Sequence, residues 1–397
     1  MTDSFDCTAI QKTLAEAQLD GWLFYDHHFR DPIAYRVLKV HPPICTRRWY
    51  YLIPTAGQPS KLVHRIERES LEGLPGTRRL YSSWMEQRDQ LKRMLEGKRR
   101  VAMQYSPLND IPYVGLVDAG TVELVRSLGV EVVSSADLVQ LFEAHWSAEA
   151  LASHLEAGQV VHAAVRRAFA AIREAARAGN ELSEYAVQQE ILQFFADHGV
   201  MTDEPPIVAA NAHSANPHYV PTAKASSPIR AKDFVLLDVW GKLRKPGSVY
   251  FDITWTGYVG EAVPQVYQDI FDLVREARDA AIARVQEALS AGRELRGYEV
   301  DDAARQVIAK AGYANYFVHR TGHSLGEEVH GNGANMDNYE SHDTRQVLPG
   351  TCFSIEPGIY LEQFGVRSEV NVYAEPNRAR VTGEIQQAVV PILAAES

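Results

Sequence analysis

The chain has 397 residues, more than one average domain holds and enough to give two or three units a core each. Its formal charge of −11, with no Lys/Arg-rich run, argues against phosphate-backbone binding, so nucleic acid is not an expected partner. Cys7, Cys45 and Cys352 lie far apart without CxxC spacing, no run nears the roughly eighteen apolar residues of a membrane span, and the start lacks a basic segment leading into an apolar one. Neither a disulfide framework nor a membrane is therefore expected, and a cytoplasmic location is.

Residues 1–145 alternate strand-like and helical runs, which predicts an α/β domain. Gly21–Tyr25, Trp49–Pro54, Arg100–Tyr105 and Val130–Val133 are the expected strands. Ser83-Trp-Met-Glu86 has the form of a capping box opening a helix toward Gly97. No cluster of ligand-type residues occurs in this half.

A second domain is expected over 146–397, beginning with a long Ala/Glu/Arg-rich helix that has Ser147 as N-cap and stops at Gly179. Within it Ala178-Gly-Asn-Glu-Leu182, Tyr185, Val187 and Gly199 recur as Ala291-Gly-Arg-Glu-Leu295, Tyr298, Val300 and Gly312 at a constant offset of 113. Self-similarity at fixed spacing is a sign of duplicated supersecondary units. A pseudo-twofold pair of halves would bring acids from both to one cleft, where ligands commonly sit.

Five residues carry chemistry. Asp233–Asp238 reads as a buried strand ending in a carboxylate, and Asp252, Thr254 and Thr256 share one face of the next strand. His319-Arg-Thr-Gly-His323-Ser-Leu-Gly326-Glu-Glu-Val-His330 sets histidines beside glycines, where backbone can approach a ligand. Glu356 ends an apolar strand stopped by Pro-Gly, and Gly365-Val-Arg367-Ser-Glu369 alternates, so Arg367 and Glu369 share a face and Arg367 could offset Glu369 alone. Asp238, Asp252, His323, Glu356 and Glu369 form an oxygen-rich set of hard ligands with one borderline nitrogen. That many acids converge only if cations neutralise them, which points to a two-metal site.

The strings Asp252-Ile-Thr254, Gly322-His323-Ser-Leu-Gly326, Val329-His330, Ile355-Glu356-Pro-Gly358 and Val366-Arg367-Ser-Glu369, with Asp238, resemble the pita-bread metallopeptidases, which include prolidase, aminopeptidase P and methionine aminopeptidase. The resemblance covers about residues 147–395 and, more loosely, a creatinase-type N-terminal domain. It implies a pseudo-twofold catalytic domain with a curved antiparallel sheet and two divalent ions, Mn²⁺, Zn²⁺ or Co²⁺. It further implies that Asp238 chelates one metal, that His323 and Glu356 hold the other, and that Asp252 and Glu369 bridge them. A bridging hydroxide would attack the peptide, Glu356 would be general base, and His218 and His330 would flank the substrate. Thr254 and Arg367 would orient the acids.

The implied activity is Xaa-Pro hydrolysis, in dipeptides first, by a homodimer; alternatives are an Xaa-Pro aminopeptidase acting on longer peptides, a metal-free creatinase-like hydrolase and an inactive binding scaffold. The sequence departs from the family in three places. Lys242–Ser248 makes a longer hairpin loop than usual, Trp255 and Ser324 replace the common Arg and Gly, and no Arg follows His330 within Gly331–Tyr339 to take a dipeptide's carboxylate. Arg345, the Lys242/Arg244/Lys245 loop, or Arg30, Arg36, Arg47 or Arg48 of a partner subunit are the candidates for that task.

Overall fold

Alternating large side chains, each with a face to bury, explain the first unit, Met1–Glu143. The structure, a computed structural model, describes residues 5–395. Strands β1 (Gly21–Asp26), β2 (Trp49–Pro54), β3 (Ser60–His64), β4 (Thr77–Tyr81), β5 (Arg100–Met103) and β6 (Glu131–Ser134) form one mixed sheet in the order β4-β3-β2-β1-β5-β6. Trp22 and Phe24 of β1 enter a different cluster from Leu23 and Tyr25, so both faces of the sheet are buried. Helices α1 (Cys7–Glu16), α2 (Pro32–Leu38), α3 (Trp84–Met94), α4 (Ala119–Ser127) and the short α5 (Ala136–Val139) complete the unit. The capping box at Ser83 is present, with Glu86 accepting from the Ser83 amide and Ser83 Oγ from that of Glu86.

The second unit, Ala144–Ser397, repeats one design. Helix α6 (Ala148–Ala178) has Ser147 as N-cap and Gly179 in the left-handed conformation as its stop. It is followed by β7 (Leu182–Ser183), α7 (Glu184–Asp197), β8 (Val200–Met201), β9 (Ile207–Ala210), β10 (Pro228–Ile229), β11 (Phe234–Leu243) and β12 (Phe251–Tyr258). Helices α8 (Gln265–Ser290) and α9 (Gly297–Lys310) then precede β13 (Ser324–Leu325), β14 (Cys352–Ile355), β15 (Gly358–Tyr360), β16 (Gly365–Arg367), β17 (Val370–Glu375), β18 (Arg378–Thr382) and β19 (Val390–Pro391). Helices α7 and α9 begin and end at matching positions of the 113-residue offset, so the faint sequence repeat has a structural counterpart.

Each helix pair backs its own sheet. Residues of α6 and α7 bury Val235, Leu237, Val239 and Ile253 of β11 and β12, while α8 and α9 cover Phe353, Ile355, Val370 and Val372 of β14 and β17. Because only one face of each sheet meets these helices, Asp238, Asp252 and Thr254 point the other way. At Gly158 of α6 a Cβ would lie 2.5 Å from the Phe251 ring, so glycine is what lets helix and strand approach. Strand β11 runs past its hairpin partner and pairs Lys242 and Leu243 with Met201 and Val200 of β8, which accounts for the long 242–248 loop. Among the described residues no helix is long and apolar enough to cross a membrane.

Candidate metal centre

The antiparallel register sets Asp238 opposite Thr254 and Trp240 opposite Asp252, so both aspartates and Thr254 share one face. The second half joins this face through an amide pairing between backbone and side chain. The Asp252 amide donates to Asn371 Oδ1 at 3.0 Å, and Asn371 Nδ2 donates back to the Asp252 carbonyl. Glu369, between β16 and β17, lies against Thr254, whose hydroxyl donates to Glu369 Oε2 at 2.8 Å. His323 Nε2 is 3.6 Å from Asp252 Oδ2 and 3.3 Å from Glu356 Oε1, its Nδ1 being engaged 3.3 Å away with the Ser324 carbonyl.

All five residues singled out by sequence thus converge, though not equally. Asp252, His323 and Glu369 offer ligand atoms within 4.8 Å of one another. Glu356 joins through His323, whereas Asp238 is paired with the buried Arg367 guanidinium. Arg367 also donates from Nε to Thr254 Oγ1 at 3.0 Å and from Nη1 to the Tyr360 hydroxyl at 2.9 Å. The alternative of a plain Arg367–Glu369 salt bridge gives way to an ion pair of Arg367, the last residue of β16, with Asp238.

Electrostatics mark this as a site that asks for cations. Asp238 is pushed up to about 7 by burial and by the neighbouring Asp252 and Glu356, against the pull of Arg367. Burial likewise raises Asp252, and it raises Glu369 well above the usual range together with the charges of Asp252, Glu356 and Asp238. Burial works upward on Glu356 as well, but the charges of His323, Arg367, His319 and Arg320 win and hold it below the usual carboxylate range. Asp252 Oδ1 and Glu369 Oε1 are buried with no hydrogen-bond partner. Two orphaned carboxylate oxygens beside an imidazole nitrogen fit a divalent cation, since His323 and Arg367 offset the burial of these carboxylates only in part.

The flanking histidines lie at this cluster. The His330 ring is 4.3 Å from that of His323, and the His323 charge, burial, Arg320 and His218 together push His330 down to about 3. His218 is exposed on the loop after β9, with its amide donating to Asn216 Oδ1. Ser324 holds the loop under His330, accepting from the Gly333 amide at 2.9 Å, which is the use of the serine that stands for glycine. Arg345 is only 2 % exposed and forks onto Asp343, so it is consumed by the core; Arg36 pairs with Glu143 inside the first unit.

Three side chains here went unnoticed in sequence. Ser354 Oγ accepts from the His323 amide and donates to Glu356 Oε1 at 3.0 Å, and Tyr360 joins Arg367 to His319 Nε2, 2.7 Å away. Burial drives His319 down to about 4. Ser354 of β14 precedes Glu356, the residue just past the strand's end, by two positions, a period-two signal that could have found it; Asn371 carries no such local signal.

Residues 152–376 match Metallopeptidase family M24. An Xaa-Pro dipeptidase of Lactobacillus delbrueckii subsp. lactis is 34% identical over 217 residues, covering 54% of this chain and 53% of the relative. The chain therefore aligns with about half the length of that curated relative. Among solved structures, dipeptidase PepE from Mycobacterium ulcerans superposes with a TM-score of 0.69 at 24% identity, covering 97% of this chain and 96% of that one. The Xaa-Pro dipeptidase from Bacillus anthracis gives 0.64 at 21% identity, over 97% and 98%; at these identities the likeness is one of fold, the mixed α/β pita-bread fold.

Proposed function

Because the chain belongs to metallopeptidase family M24, we propose that it is a two-metal peptidase that hydrolyses Xaa-Pro bonds, dipeptides first, releasing proline. The observation that carries this reading is the pair of orphaned oxygens on Asp252 and Glu369, within reach of His323 and walled by Asp238 and Glu356. In this reading Asp238 would hold one ion and His323 and Glu356 the other, with Asp252 and Glu369 as ligands that either ion could use. Mn²⁺, Zn²⁺ and Co²⁺ all suit the donor set. When bound, the ions supply Lewis-acid polarisation and neutralise the carboxylates.

The chain's own residues do the rest. Glu356, held ionised, is the proton acceptor for the attacking water, with Ser354 Oγ fixing one oxygen and Arg367 Nε 3.7 Å from the other. His330 is neutral at physiological pH and so presents one N–H and one lone pair to the substrate, across from His218. Thr254 and Arg367 hold Asp238 and Glu369 in place. The reading extends to a cytoplasmic homodimer, which sedimentation of the purified chain checks.

One observation favours longer peptides. Gly331–Tyr339 contains no cation and Arg345 is engaged in the core, which weakens the capture of a dipeptide's carboxylate. Arg320 is the alternative cation, since its charge acts on His330 and Glu356 and opposes the upward pull of Asp252 and Glu356 on His323. Comparing Ala-Pro with Ala-Pro-Gly at matched concentration decides: a strong preference for Ala-Pro supports the dipeptidase, and a strong preference for the longer peptide the aminopeptidase.

A further inference from the structure

We infer that Glu184 is a positioning residue for His218, acting through the loop that carries it; the inference rests on the catalytic reading above. Glu184 is the first residue of α7, and its side chain is fully buried. A first-turn glutamate is ordinarily a solvated partner of the helix dipole. This one instead turns inward and gathers four donors from segment 210–227. The Ala210 amide and His213 Nδ1 reach Oε1 at 2.7 and 2.8 Å, while the Tyr219 hydroxyl and the Ser227 amide reach Oε2 at 2.6 and 2.7 Å.

Ala210 ends β9 and Ser227 precedes β10, so the carboxylate grips the segment where it leaves and where it returns. The Glu184 amide adds a bond to the Ser227 carbonyl at 3.0 Å. His213 and Tyr219 are in addition stacked, with ring centroids 4.2 Å apart and 24° between planes, on either side of His218 in the chain. The other flank of the loop is tied to the strand of Arg367, because the Gly365 amide donates to Ser214 Oγ at 2.9 Å. His218 itself is exposed and makes few bonds of its own, so its place is set by these anchors.

The chemistry demands a carboxylate. All four groups donate, and only an ionised acid accepts at both atoms. A glutamine would turn an NH₂ toward at least one backbone N–H, which cannot become an acceptor. The second half of the molecule uses the same device: Asp301 of α9, also fully buried, accepts from the Thr321 amide at 2.9 Å and hydroxyl at 2.6 Å, and from the Asn338 amide at 2.9 Å. Each paired helix thus fixes one histidine-bearing segment of the cleft.

The test is a double-mutant cycle with Glu184→Gln and His218→Ala, assayed on Ala-Pro with saturating Mn²⁺. Glu184→Gln is expected to keep its Mn²⁺ content and to lose about tenfold to hundredfold in kcat with a smaller change in KM. Adding it to His218→Ala should cost no more than His218→Ala alone. Multiplying effects, or an unchanged kcat, would overturn the inference. If Glu184→Gln does not fold, Tyr219→Phe removes one donor and should show the same coupling at smaller size; strict independence from His218→Ala refutes it. If the wild type releases no proline, the catalytic reading fails, and the clamp is then read by hydrogen exchange. The Ala210 and Ser227 amides should exchange at least about tenfold faster in Glu184→Gln, with equal protection counting against the clamp.

Discussion

Replacing Arg367 by methionine keeps a long flexible side chain but removes the one guanidinium that pairs with Asp238 and lies 3.7 Å from Glu356. Arg367 is 3 % exposed, and breaking a buried ion pair from one side costs about 3–5 kcal/mol because the partner charge is stranded. Protonation of Asp238, already raised to about 7, places the loss at the lower end of that range near neutral pH. For a unit of this size about 3 kcal/mol corresponds to a Tm about 6–12 °C lower. The assay is thermal unfolding of wild type and Arg367→Met in EDTA and in excess Mn²⁺. Divalent ions neutralise the same carboxylates, so the deficit should shrink by at least half on adding Mn²⁺. A loss under about 1 kcal/mol in EDTA, or a deficit equal in both conditions, would refute the electrostatic account of the site.

His154 gives a pH signature away from the metal ligands. Fully buried between the Tyr250 carbonyl and Thr382 Oγ1, it is held by burial down to about 4 from 6.5. The unfolded chain binds this proton first, so its contribution is whole above about pH 6.5 and is lost as pH falls toward 4, about 3 kcal/mol in all. Urea unfolding at about pH 7.5 and 4.5 should show that share of the acid loss missing in His154→Asn. Glu356→Gln should fold and still lose about 10²–10⁴ in kcat on Ala-Pro, and near-wild-type turnover would remove it as the base. Gly158→Ala should cost about 1–3 kcal/mol in urea unfolding through its clash with Phe251. Arg320→Ala should raise KM for Ala-Pro about tenfold and leave KM for its C-terminal amide nearly unchanged.

Much of this was legible because local chemistry announced it. Ser147 and Gly179 bracket α6 as caps of opposite kinds, Ser83 and Glu86 form their box, and the alternation of Asp252 with Thr254 puts both on one face. The five acidic and imidazole residues that converge could be chosen from sequence because the four acids lie within or beside apolar strands and His323 sits next to a glycine. What escaped was set by partners far along the chain. Strand β4 contains Arg78 and Arg79 and has no apolar alternation to betray it, and is held instead by parallel pairing with β3. Arg367 finds Asp238 at a separation of 129 residues, and His154 finds Thr382 at 228. Glu184 reads in sequence as an ordinary first-turn acid, and only the return of the chain at Ser227 gives it another purpose. Arg345, a candidate for substrate binding by charge alone, pairs locally with Asp343 and never reaches the cleft.

The most direct measurement is proline release from Ala-Pro by the purified chain, stripped with chelator and then reconstituted with Mn²⁺. The account predicts no release by the stripped protein, release on addition of metal, and none on addition of metal to Glu369→Gln, whose orphaned Oε1 is one of the two oxygens that call for a cation. Failure of the metal-loaded wild type to free proline from any Xaa-Pro dipeptide would contradict it.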